Sequence, residues 1–245
     1  MAYSNILPDP NNAIAVTGEA TGSEYGPGYK SVKLASEHKI MNTRTNSGRL
    51  ISRELSGHKW NISISYNPMT REEFEPIYTF LLQKRGSMTP FFVSLPQYKA
   101  PRDTTFATFV SSTTFTAAAA VAAGQTSLLI EATGYTSAAL NNKGSAKPGD
   151  IFTITDSADS NHLKAYQITG VETATVPQAD ADPDPSTTQQ RIQFIPALQR
   201  AVSINSDVVF NDPKFRVVLS SDVSEYDLNT NNLYSFSLKL EEAQI

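Results

Sequence analysis

The stretch SGHKWNISISYNPMTREEFEPIYTFLLQKRG, residues 56–86, decides the fold class. In KWNISISY, Trp60, Ile62, Ile64 and Tyr66 alternate with Asn61, Ser63 and Ser65. A period of two with one apolar and one polar set predicts a strand with a core face and a wet face. Pro68 ends the strand. Thr70 followed three residues later by Glu73 is a capping box, which starts a helix over residues 71–85. Glu72, Glu73 and Glu75 suit the positive end of its dipole; Lys84 and Arg85 suit the negative end. Phe74, Ile77, Tyr78, Leu81 and Leu82 form the expected apolar stripe, and Gly86 stands where a helix stops. Pro76 removes one backbone bond and should kink the helix.

Outward from this unit the chain changes texture. Residues 1–28, rich in Pro, Asn and Gly, offer little apolar surface and predict an extended arm. Residues 29–53 read as strands around a turn marked by Asn46, Ser47 and Gly48. This segment is basic: Lys30, Lys33, Lys39, Arg44, Arg49 and Arg53 stand against Glu37 alone. It is either a solvated face or a contact for an acidic neighbour. TPFFVSLPQ predicts a buried strand. Residues 101–212 carry five or so short strands, in SLLIEA, KPGDIFTIT, HLKAYQITGVET, RIQFIPAL and DVVF. A polar, Pro-rich loop lies at 176–188. Such strands suggest a small β-barrel or sandwich. The last strand, LYSFSLKLEEA, alternates as cleanly as the Trp60 strand, and the economical topology puts both in one sheet. The expected class is therefore mainly β with one α-helix. Its arm is 1–28, its main β-domain 29–100 plus 213–245, and its inserted β-domain 101–212.

Composition narrows the chemistry. The 245 residues include no cysteine, which removes disulfides and thiolate chemistry. Of the three histidines, His38, His58 and His162, no two are at metal-ligand spacing; a metal site would need convergence from afar. A net charge of −4 and a pI of about 5.4 are the reverse of a nucleic-acid wrapper, so no sequence-specific nucleic acid is expected. No apolar run is long enough for a membrane span, and the start lacks a basic, apolar leader, so a soluble protein made in the cytoplasm is expected. DSADS at 156–160 and DADPD at 180–184 look like calcium loops but lack the central Gly and terminal Glu of an EF-hand. No catalytic constellation and no cofactor motif stands out.

Ordered signals then point to a family. SGR at 47–49, SREL at 52–55, SGHKW at 56–60 and the helix stretch to Gly86 resemble the amino-terminal region of distal tail proteins of tailed bacteriophages. KPGDIFTI, KAYQITGV, IQFIPALQRAV and the final LYSFSLKLEEA, in that order, resemble their later strands. The resemblance implies a structural virion protein with a tail-tube-like β-sandwich flanked by one helix. It implies a ring, commonly a hexamer, at the distal end of the tail tube. Its partners would be itself, the tail tube protein and baseplate hub or tail-tip proteins. Lys39, Arg44, Arg49 and Arg53 are then the candidate contact residues. The long arm and the inserted domain depart from the family pattern. The rival reading is a carbohydrate-binding module presenting Tyr135 and Tyr166, or Trp60, to glycans. A glycan hydrolase, which needs two carboxylates about 5–9.5 Å apart, ranks last.

Overall fold

The computed structural model describes residues 5–15, 18–19, 22, 24–54, 57–132, 144–174, 184–221 and 225–243. We number the main elements along the chain. The first part holds β1 (Tyr29–Glu37), β2 (Ile40–Arg44), β3 (Leu50–Glu54), β4 (Lys59–Tyr66), α1 (Arg71–Lys84) and β5 (Phe91–Ser94). The middle holds α2 (Thr104–Val110), β6 (Phe115–Ala117), β7 (Ser127–Ala132), β8 (Ile151–Thr155), β9 (Ala165–Thr173), β10 (Gln189–Ile195) and β11 (Asp207–Val209). β12 (Lys214–Leu219) and β13 (Ser237–Glu242) complete the chain. The class is mainly β, as expected. It divides into two compact units, Met1–Val93 with Arg216–Ile245, and Ser94–Phe215.

The first unit is built on a sheet of order β1-β4-β13-β12-β5. The two alternating strands are neighbours, with Ile62 opposite Leu240 and Ile64 opposite Leu238. Trp60, Ile62, Ile64, Tyr66, Leu238 and Leu240 are buried, whereas Ser63, Ser237 and Lys239 lie on the wet face. α1 starts where the capping box places it: the Glu73 carboxylate accepts from Thr70 N–H at 2.9 Å and from its hydroxyl at 3.1 Å. The helix runs unbroken through Pro76 and ends at Arg85, which is left-handed with φ 54°. Its buried face is Phe74, Ile77, Phe80, Leu81 and Lys84, which corrects the expected stripe. Leu82 is 55% exposed and Tyr78 half-buried, because a 3-4-3-4 spacing counted from Phe74 turns Leu82 outward. Lys84 enters the core edge by laying its ammonium over the Phe80 ring, 4.6 Å from the centroid, and bonding Asn5 Oδ1 at 3.2 Å.

The arm also needs correcting. Leu7 and Ile14 are buried, against the expectation that this segment buries little. Leu7 N–H donates to Phe92 O at 2.8 Å and Phe92 N–H to Asn5 O at 2.7 Å, so the arm extends the sheet past β5 in parallel. Gly26 lets it close: a Cβ there would stand 2.4 Å from the Pro8 carbonyl oxygen.

The second unit is a closed six-stranded barrel of order β8-β9-β10-β7-β6-β11, antiparallel at every seam. Side chains such as Ile130, Phe152, Tyr166, Ile168, Ile192 and Phe194 fill it, as is usual for a barrel this narrow. The sequence reading missed α2. The Asp103 carboxylate caps it by accepting from Thr105 and Phe106 N–H, and Phe106 and Phe109 pack on Phe115 at 5.3 and 5.6 Å. The unit's ends are tied together: Ser94 donates to the Asp212 carboxylate, and Asp212 N–H to Lys99 O.

Because burying such side chains contributes about 1.5–3 kcal/mol each and leaves cavities when undone, Leu81→Ala should cost about 2–5 kcal/mol. Leu82→Ala, on the exposed side, should stay within about 0.5 kcal/mol. Urea denaturation of the two variants checks this; equal losses would mean α1 is docked differently. Leu7→Ala should behave like Leu81→Ala, since the arm belongs to the core.

Candidate assembly surface

β2 and β3 form a ribbon that leaves the sheet beyond the Glu37–Lys59 pair. Its turn is Thr45–Asn46–Ser47–Gly48. Gly48 N–H bonds Thr45 O at 2.8 Å, Thr45 N–H bonds Arg49 O at 3.0 Å, and Gly48 has φ +80°, which is why glycine stands there. The pairing puts Ile40 and Leu50 on one face and Met41 and Ile51 on the other. All four are 49–60% exposed. A ribbon with aliphatic side chains bare on both faces has no core of its own, and a two-stranded ribbon in water is marginally stable.

The four basic residues singled out from the sequence all lie on this ribbon or at its base, and all are exposed. Arg44 pairs with Leu50 and Arg53 with Met41 across the ladder; Arg49 follows the turn and Lys39 precedes β2. Among the described residues none of the four is in an ion pair, so their charge faces outward. At the base, His38 and His58 converge although they are far apart in sequence. Their rings are 4.7 Å apart and both Nε2 atoms bond Ser36 Oγ, at 3.1 and 2.8 Å. His58 packs edge-on to Trp60 at 4.7 Å. Among the described residues no group of three His, Cys, Asp or Glu is placed to hold a metal ion. No described helix is long and apolar enough to cross a membrane.

The opposite end of the same sheet carries a surface that the sequence reading missed. Phe74 lies at its centre, 4.6 Å from Tyr234, 5.0 Å from Tyr226 and 5.2 Å from Tyr78. These rings come from α1 and from residues 225–235, about 150 positions apart, so no local pattern announces them. Tyr226 and Leu228 are about half exposed.

The residues offered for glycan stacking are elsewhere. Trp60 is buried. Tyr166 is wholly buried inside the barrel, where its hydroxyl accepts from Gln199 N–H at 3.2 Å and lies 2.9 Å from His162 Nε2. Tyr135 lies outside the described residues. The calcium-like DSADS loop uses its carboxylates on the protein. Burial alone would raise the Asp156 carboxyl, but N–H donation from Ser203 and Ala158 overcomes this and holds it below the usual range. Asp159 is lowered first by the Asn161 N–H and then by Arg200, 2.9 Å away. Asp180 and Asp182 lie outside the described residues. Burial lowers the His162 pKa from its ordinary 6.5.

No family model matches the chain. It is 27% identical to the distal tail protein pb9 of Escherichia phage T5, over 97% of this chain and 98% of that protein. The resemblance to phage distal tail proteins is borne out. It spans both units, and it supports a structural role in a virion tail.

The lowered His162 pKa sets a pH dependence. Below pH 6.5 the unfolded chain binds a proton that the folded barrel refuses, so stability is full above that value and declines as pH falls toward the folded pKa. Lowered carboxyls at Asp103, Asp156 and Asp159 add a second loss only below their ordinary 3.8. Hydrogen-exchange protection of β8 and β9 should therefore fall between neutral pH and pH 5 less in His162→Gln than in the parent chain. An equal fall in both would show that another group governs it.

Proposed function

We propose that this protein is a ring-forming structural subunit at the distal end of a phage tail tube, connecting the tube to the baseplate or tail tip. The ribbon carries this reading. It exposes Ile40, Met41, Leu50 and Ile51 on two faces and clusters Lys39, Arg44, Arg49 and Arg53 around them. An isolated soluble subunit gains nothing from such a device, whereas a neighbour that covers it recovers the apolar burial. The chain's overall acidic excess provides surfaces of the opposite charge on other copies of itself. Identical subunits around a six-fold axis, the usual stoichiometry implied by the resemblance, each meet two neighbours in the same way. The likeness to pb9 over 97% of the chain supports the tail as the setting; in this reading the tail tube protein lies on one side and baseplate hub or tip proteins on the other.

In this reading the barrel is an independently folding insertion that adds a docking body without disturbing the ring-forming sheet. Its filled interior, with Tyr166 wholly buried in it, favours protein contacts over glycan binding. The closed loop at Ser94 and Asp212 supports its autonomy.

Arg44→Glu with Arg49→Glu should leave the melting temperature within about 2 °C, since exposed charges carry little stability, while self-association or virion incorporation falls sharply. Sedimentation velocity beside a melting curve makes the comparison. Normal assembly of this variant would remove the ribbon from the interface.

A further inference from the structure

We propose that the ribbon of one copy seats on the acidic aromatic surface of a second copy, so that subunits join head to tail along the sheet. This rests on the ring reading above and names the surface that receives the ribbon.

The receiving surface is defined by rings. Phe74 is buried at its floor, and Tyr78, Tyr226 and Tyr234 stand around it within 5.2 Å of the Phe74 centroid. Tyr226 packs on Tyr78 at 5.4 Å and on Tyr234 at 5.5 Å, so the exposed edge of the cluster is held rigid from three sides. Rigid, half-exposed tyrosines are the residues that most often anchor protein interfaces, because few rotamers are lost when they are covered. Leu228 adds an exposed aliphatic side chain beside them.

Charge selects the occupant. Glu225 and Asp227 flank Tyr226 in the chain, and Glu72 lies in the first turn of α1. Arg71 and Glu75 pair at 2.5 Å and cancel, which leaves Glu72, Glu225 and Asp227 to set the sign. The surface is thus aromatic and acidic, and the ribbon is aliphatic and basic. Ribbon on ribbon, the self-complementary alternative, would bring Arg44, Arg49 and Arg53 against their own copies, and like charges brought together repel.

Position makes the pairing propagate. The ribbon leaves the sheet beyond Glu37–Lys59, and the aromatic surface lies beyond Tyr29–Tyr66, at the other end of the same two strands. Seven residue steps separate Lys59 from Tyr66, about 23 Å at the rise of a strand. A subunit cannot fold its own ribbon back onto its own tyrosines over that rigid span. Two complementary and different surfaces at opposite ends of one body form a heterologous contact, which closes into a ring when the rotation per step allows.

The absence of cysteine allows a direct test. Leu50→Cys and Leu228→Cys variants of the full chain, mixed at high concentration under mild oxidation, should form a mixed disulfide. Leu50→Cys mixed with Ser63→Cys, on the wet face of the sheet, should not. Equal yields in the two mixtures, or Leu50→Cys pairing chiefly with itself, would overturn the proposal. A charge exchange supplies the second arm, read by sedimentation across concentrations. Arg44→Glu/Arg49→Glu and Glu225→Arg/Asp227→Arg should each weaken self-association about tenfold or more, and the four changes together should restore it. If the ribbon reversal abolishes assembly while Glu225→Arg/Asp227→Arg leaves it intact, the receiving surface lies elsewhere and the ring reading stands. If the ribbon reversal has no effect, the ribbon is not in the interface and this proposal falls; a parent chain that stays monomeric at every concentration would instead overturn the ring reading.

Discussion

The ladder between β4 and β13 is the contact on which the first unit depends. It joins Ile62 to Leu240 and Ile64 to Leu238 across more than 170 residues of chain. Closing so long a loop is entropically costly, though the cost grows only slowly with length. The stabilisation that offsets it comes from one alternating apolar face contributed by both strands, and α1 reaches the sheet through Phe74 on Phe236 and Phe80 on Phe91. Once the ladder forms, β5 and β12 are held in the same sheet, and these are the strands from which the barrel departs and to which it returns. A whole second domain can therefore be carried at little cost to the first.

The same ladder fixes a direction. Strands β1 and β4 run antiparallel from Glu37–Lys59 to Tyr29–Tyr66, and the two ends are chemically unlike. One end gives rise to a basic ribbon with a histidine pair at its root; the other gathers tyrosines over Phe74. Between them the wet face shows the exposed Ser63, Ser237 and Lys239. A rigid body with different surfaces at its two ends has the polarity that head-to-tail assembly requires.

Legibility in the sequence followed the range of the interaction. Trp60 to Tyr66 declared a strand because its pattern is local, and Thr70 with Glu73 declared a helix start for the same reason. The stripe was misjudged by one position: Leu82 is as apolar as Leu81, but the helix turns it away and brings Phe80 and the stem of Lys84 inward. The second helix was hidden because TTFATFV is rich in β-branched residues with poor helix propensity; its cap at Asp103 and its phenylalanines on Phe115 override that preference. The arm was misread because composition reports average polarity, whereas two residues, Leu7 and Ile14, do the docking. The basic ribbon was legible from its Asn-Ser-Gly turn and its charges. The tyrosine surface was not, since Tyr78 and Tyr226 meet only after the long ladder has closed.

The ribbon's charges also bear on how a free subunit survives before assembly. Bare Ile40, Met41, Leu50 and Ile51 on a two-stranded ribbon are the kind of edge that pairs indiscriminately with other chains. Arg53 lies opposite Met41, Arg44 opposite Leu50, and Lys39 and Arg49 stand at the base and tip, so each aliphatic side chain has a cation within a residue or two along or across the ladder. Such cations oppose ribbon-to-ribbon pairing, because every copy carries the same sign, yet they favour a partner of opposite sign. Both effects come from the same four residues. Replacing them with neutral polar residues would remove the repulsion and the attraction together, so specificity would suffer before affinity for apolar surfaces did. In the proposed assembly the basic ribbon would thus be a guard in the free subunit and a guide to its neighbour.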